Sequence, residues 1–131
     1  MLIDMFNFEN ETHTLLEMAR VGKFDIYVVN LYGSEGRYPH FHFINKEKKI
    51  EGCIRLDIPD YFKHDGKDDM LSSKERKQLI KWLNSNHPGY LKLGVELSIY
   101  KYMCILWNDN NPDYIYNDLE MPDYTKLPAK E

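Results

Sequence analysis

The stretch Tyr38-Pro39-His40-Phe41-His42-Phe43 constrains this chain more than any other. Histidine and phenylalanine alternate in it, which is the two-residue period of a β-strand with one apolar face and one histidine face. After a polar turn at Asn45-Lys46-Glu47-Lys48-Lys49 the same period returns from Ile50 to Ile58. Ile50, Gly52, Ile54, Leu56 and Ile58 fall on one side, and Glu51, Cys53, Arg55 and Asp57 on the other. The two runs predict an antiparallel hairpin in which Phe41 and Phe43 share a face with the isoleucines. A turn of four or five residues leaves the register open.

Other elements arrange themselves around that hairpin. Phe24 to Leu31 is rich in β-branched and aromatic residues and predicts a further strand. Before it, Asn10-Glu11-Thr12 precedes Leu15, Leu16, Met18 and Ala19, which predicts a short helix capped at Asn10 or Thr12 and ended by Val21-Gly22-Lys23. Gly33-Ser34-Glu35-Gly36 reads as a turn, and Pro59 to Asp69 as an irregular polar loop. Ser72-Ser73-Lys74-Glu75 has the spacing of a capping box and opens a helix to about Asn84. Leu79, Ile80 and Leu83 supply its buried face, and Lys74, Lys77 and Lys81 a solvated row. Asn86-His87-Pro88-Gly89 reads as a turn. From Lys92 to Asn108, Leu93, Leu97, Tyr100, Cys104 and Trp107 recur at steps of three and four, predicting one long helix despite Gly94. Pro112, Pro122 and Pro128 interrupt the remaining residues, so 111–131 are expected as an extended tail packed on or flanking a single domain of residues 1–110. The fold class is α+β: an antiparallel sheet of about three strands with two helices on one face, a short N-terminal helix and an irregular acidic tail.

Composition narrows the function classes. A chain of 131 residues is the usual size of one domain. Its net charge of −4 lies wholly in the last 24 residues, where Asp109, Asp113, Asp118, Glu120, Asp123 and Glu131 face Lys126 and Lys130. A neutral body with an acidic tail disfavours wholesale binding to a phosphate backbone. No apolar run is long enough for a bilayer and Met1-Leu2-Ile3-Asp4 is no signal peptide, so a cytoplasmic chain is expected. Two cysteines, Cys53 and Cys104, are too few for a disulfide scaffold and are expected as thiols, with Cys104 in the core.

The hairpin puts His40 and His42 on the same sheet face as Glu51, Cys53, Arg55 and Asp57, and these six are the candidate binding residues. Histidine titrates near neutral pH, so His40 and His42 are candidate acid and base around a phosphodiester held by Arg55. Two histidines spaced i, i+2 on a strand can also share a metal, with Cys53 as a third ligand and His64 closing from the loop. Against both stands the plain alternative of a wet sheet face with charges paired across strands. No tightly held metal and no cofactor are expected. His13 and His87 are expected to be solvated.

Val21-Gly22-Lys23 before a strand, followed by Tyr-Pro-His-Phe-His-Phe, resembles the small prokaryotic proteins grouped as Domain of Unknown Function 4160, whose hallmark is Pro-Pro-His-x-His on a strand. The resemblance covers roughly residues 20–84. Tyr38 stands where a proline is usual, the Pro59–Asp69 loop is long, and the Lys92 helix and acidic tail are additions. Members often sit beside small partner genes in the manner of toxin–antitoxin modules, which implies partner binding or regulation and brings no established activity. Only His40 and His42 transfer, as the motif's functional centre. The expectation is therefore a small cytoplasmic binding or regulatory protein, of a toxin–antitoxin or phage-type mobile-element setting, with a protein partner or a second copy of itself. A histidine-dependent phosphodiesterase or ribonuclease, or a metal-binding protein, is the alternative on the same face.

Overall fold

The turn leaves the hairpin's register open, and the computed structural model, which describes residues 15–21, 24–29, 38–45, 47–62 and 69–130, sets it. Strand β3 (His40–Asn45) pairs antiparallel with β4 (Ile50–Arg55), with His40 opposite Arg55, Phe41 opposite Ile54, His42 opposite Cys53 and Phe43 opposite Gly52. The last pair, Asn45 with Ile50, closes a four-residue turn in which Lys49 takes a left-handed φ of 55°. Gly52 matters to this register. A Cβ there would lie 2.7 Å from Phe43 Cζ and 2.9 Å from the Asp69 carbonyl oxygen, so only glycine lets the Phe43 ring cross β4.

The sheet has four strands in the order β1-β2-β3-β4, all antiparallel, with β1 at Leu15–Val21 and β2 at Phe24–Val29. The short N-terminal helix is thus corrected over Leu15–Val21, while its expected caps, Asn10 and Thr12, lie outside the described residues. An isolated helix that short is marginal, whereas β2 offers ladder partners to six of the seven residues of this segment, from Leu15 opposite Val29 to Val21 opposite Phe24. At the other edge, Asp60–Phe62 bonds back to β4: the Arg55 amide donates to the Asp60 carbonyl and the Phe62 amide to the Cys53 carbonyl, each at 2.9 Å. The loop expected at Pro59–Asp69 therefore begins by covering a strand edge.

Helix α1 (Ser73–Leu83) opens with the expected capping box: the Glu75 amide donates to Ser72 Oγ, and the Ser72 amide to the Glu75 carboxylate. Its Leu79 and Leu83 are buried with Phe43, Ile54 and Leu71, and Lys74, Lys77 and Lys81 are exposed. The single helix expected over Lys92–Asn108 is two. Helix α2 (Pro88–Lys92) is one turn capped by His87, and α3 (Ile99–Asn110) starts afresh at its cap Ser98. Gly94, at φ 81°, breaks the run, and Leu93 leaves the predicted stripe for solvent. Tyr100, Cys104 and Trp107 stay buried as predicted, with Ile99 and Met103.

After α3 the proline-rich segment folds onto the body. Tyr124 and Leu127 enter the core around a 3₁₀ turn at Tyr124–Lys126. The Arg76 guanidinium donates to the Leu127 carbonyl at 2.6 Å, the Tyr61 hydroxyl to the Pro128 carbonyl at 2.5 Å, and the Lys130 amide to the Leu71 carbonyl at 2.9 Å. Among the described residues, no helix is long and apolar enough to cross a membrane.

Candidate functional site

In a half-covered sheet, His40, His42 and Cys53 would all be wet. Instead His40 is 1% exposed and Cys53 3%, with His42 between buried and exposed. The wet-sheet expectation fails at this end because aromatic rings close over it. The His40 ring centroid lies 4.6 Å from that of Phe62, 5.0 Å from Trp107 and 5.1 Å from His42. Phe62 gets there by the bridge along β4, and Trp107 by the last turn of α3, where its indole N–H donates to the Tyr114 carbonyl at 2.9 Å. Sequence reasoning places Trp107 in the core stripe and passes over Phe62. The signal for Phe62 is an aromatic pair, Tyr61-Phe62, at the head of an otherwise polar loop.

Burial of polar rings demands partners. The His40 Nδ1–H donates to the Tyr38 carbonyl at 2.8 Å. Cys53 Sγ lies 3.2 Å from His42 Nδ1 and 4.0 Å from its Nε2, a thiol–imidazole hydrogen bond set by the direct cross-strand pairing of the two residues. One ligand atom from each of His40, His42 and Cys53 falls within 4.8 Å of the others.

Arg55 serves a different purpose from the one expected. Its Nε and Nη2 donate to both carboxylate oxygens of Asp57 at 2.8 and 2.7 Å, and its guanidinium carbon sits 3.9 Å from the Tyr38 ring centroid. The bond to Asp57 raises the arginine pKa above its usual range. A guanidinium already clamped by a carboxylate and an aromatic face is a poor anchor for a phosphodiester. Glu51 lies at the far end of the strand, exposed and opposite Ile44, with its backbone tied to Asp69. Of the six expected binding residues the fold thus gathers three into one cluster, pairs Arg55 with Asp57 beside it, and leaves Glu51 apart. His64 and His13 lie outside the described residues.

Tyr124 anchors the β4 end of this arrangement from below, its hydroxyl donating to the Arg55 carbonyl. Burial pushes the Tyr124 and Tyr100 hydroxyls far above their ordinary pKa, so both act as permanent donors, Tyr100 to the Leu56 carbonyl at 2.5 Å. Cys104, the other thiol, is pushed up to about 11 by burial, which suits an inert core residue.

Two histidine nitrogens and one thiol form a donor set for thiophilic, imidazole-loving cations: zinc, or copper in trigonal sites. Around zinc such atoms stand roughly 3.3–3.6 Å apart, given bond lengths of about 2.0–2.3 Å. The 3.2 Å contact between Cys53 and His42 is already close to that range, and all three donor atoms lie within 4.8 Å of one another. Neither a protein-family model, a curated protein nor a solved structure matches this chain.

Proposed function

We propose that this is a small binding protein whose ligand is a transition-metal ion of the zinc class, held by His40, His42 and Cys53. The observation that carries the reading is the grouping of three unlike donors within 4.8 Å, two of them buried, at the paired ends of β3 and β4. The sequence leads to no expectation of a tightly held metal, and the burial of His40 and Cys53 beside His42 is what favours one here. A rigid hairpin supplies the preorganisation that a metal site needs, since His42 and Cys53 are fixed by register rather than by loop geometry. The Tyr38 carbonyl supports the site from behind by orienting the His40 ring. Acid–base cleavage of a phosphodiester is the weaker reading, because its anion anchor, Arg55, is committed to Asp57. A toxin–antitoxin or mobile-element setting is carried by the family resemblance alone.

Metal-free protein titrated with Co²⁺ tests the proposal. One equivalent per chain is expected, with the near-ultraviolet charge-transfer band of a thiolate–cobalt bond, which Zn²⁺ then displaces. Cys53→Ser abolishes that band, and His42→Ala weakens binding by about 100-fold or more, since even outer-sphere changes cost roughly 10–100-fold. Uptake that is equal in wild type and in the Cys53→Ser, His42→Ala double variant overturns the proposal.

A further inference from the structure

Resting on the metal reading above, we infer that the ion in this site keeps a coordination position for an exogenous monoanionic donor, entering on the His42 side. Three features of the geometry point the same way. The first is an asymmetry of access. His40 is sealed behind Phe62 and Trp107 and Cys53 is buried, whereas His42 retains contact with solvent. An ion held by all three therefore meets protein on the His40 and Cys53 sides and solvent beside His42.

The second is the commitment of the acids expected on this face. Asp57 spends both carboxylate oxygens on Arg55, which is itself stacked on Tyr38, and Glu51 stands apart opposite Ile44. Among the described residues the grouped donors are His40, His42 and Cys53, whereas zinc favours four ligands. The third is charge. A divalent ion with one thiolate and two neutral imidazoles carries a net +1, and the neighbouring Arg55–Asp57 pair adds nothing to it. In surroundings walled by aromatic rings an uncompensated charge is costly, and one monoanion brings the centre to neutrality. Donor exchange at such a position is what separates an open site from a structural one, whose four protein ligands shut it.

The experiment adds azide, a small monoanionic donor, to the stoichiometric Co²⁺ protein and follows the cobalt d–d bands, with neutral imidazole in parallel. The expected result is a band shift that saturates at one azide per cobalt while the thiolate charge-transfer band persists, and at a lower concentration than imidazole needs. Bands that ignore azide to saturation mean that the chain closes the site itself, and overturn this inference while leaving the metal reading standing. A shift driven equally well by imidazole overturns the charge argument and with it the monoanion. Protein that takes up no cobalt overturns both readings together.

Discussion

At the start of β3 a histidine is 1% exposed, and just after α2 a leucine is 77% exposed. The two regions invert the usual distribution in opposite senses. Around β3–β4 the fold buries His40, Cys53 and Asn45, while over Pro88–Val95 it leaves Tyr90, Leu91, Leu93 and Val95 outside and buries nothing of α2. What differs is backbone partnership. β3 pairs with β4 along its length and with β2 over His42–Ile44, and at its first residue the rings of Phe62 and Trp107 close over His40. Enclosure then selects residues that can be satisfied, such as His40, bonded to the Tyr38 carbonyl. Helix α2 is a single turn between a capping histidine and Gly94, too short to bring an apolar stripe against the sheet. Leaving each large apolar side chain in water forgoes about 1.5–3 kcal/mol. Burial in this chain follows topology first and polarity second.

The comparison is broken most directly by cutting a large apolar side chain from each region. Phe43→Ala removes a fully buried ring that lies over Gly52 and touches the rings of Phe24 and Tyr61, at centroid distances of 5.6 and 6.4 Å. Denaturant unfolding should show a loss of about 3–5 kcal/mol for it. Leu93→Ala should lie within about 0.5 kcal/mol of wild type. Losses of similar size would mean that the apolar surface after α2 is covered in solution, and that the contrast between the two regions is not a property of the chain.

The next effect in size concerns the buried polar cluster. If it holds a metal, Zn²⁺ at about 100 times its dissociation constant adds about 2.7 kcal/mol to the folded state, because the unfolded chain does not preserve the grouping. Calorimetry should show a melting point that rises with Zn²⁺ in wild type and in Leu93→Ala, and a flat response in Cys53→Ser. Removal of the ion by a chelator should return wild type to its starting value. A zinc-dependent rise that survives Cys53→Ser would place the ion elsewhere.

The hairpin, the capping box at Ser72 and Glu75, and the α+β class were all legible from local pattern, because each is written in short stretches of neighbouring residues. The N-terminal segment was not. Leu15, Leu16, Met18 and Ala19 satisfy a helix and a strand equally, and it is β2, a partner outside the segment, that decides. The break at Gly94 was visible as a glycine but outweighed by a periodicity that Leu93 only mimics. Membership of the cluster was legible too: the alternation placed His40, His42 and Cys53 on one face. Its burial was not, because Phe62 and Trp107 arrive from 9 and 54 residues beyond Cys53 and no period in the sequence records that closure. Arg55 looks like a free anion site in the sequence for a similar reason. Its pairing with Asp57 depends on the bend that ends β4, not on the strand.

The smallest expected effect lies in α2, and it sharpens the comparison by asking what holds an unburied turn together. The Gly89 amide donates to His87 Nδ1 at 3.0 Å and the Tyr90 amide at 3.4 Å, so the imidazole caps the helix with its lone pair. Its ring also packs edge-on to Tyr102 and Tyr90, at 4.2 and 5.0 Å. Desolvation by that packing lowers the His87 pKa below its ordinary 6.5. Protonation at Nδ1 would also set a cation against two amide donors, which acts in the same direction. The unfolded chain therefore takes up its proton first as the pH falls. The stability that His87 contributes is fully present above 6.5, declines as pH drops through that value, and is gone below the depressed folded pKa. Amide exchange at Gly89 and Tyr90 should accelerate across that window, relative to amides in β3, and the acceleration should vanish in His87→Asn, which keeps an uncharged cap. The His87 ring protons should titrate with a midpoint below 6.5. A midpoint at or above that value would show a solvated ring, with α2 held by the Pro88 start and the Gly94 stop rather than by its cap.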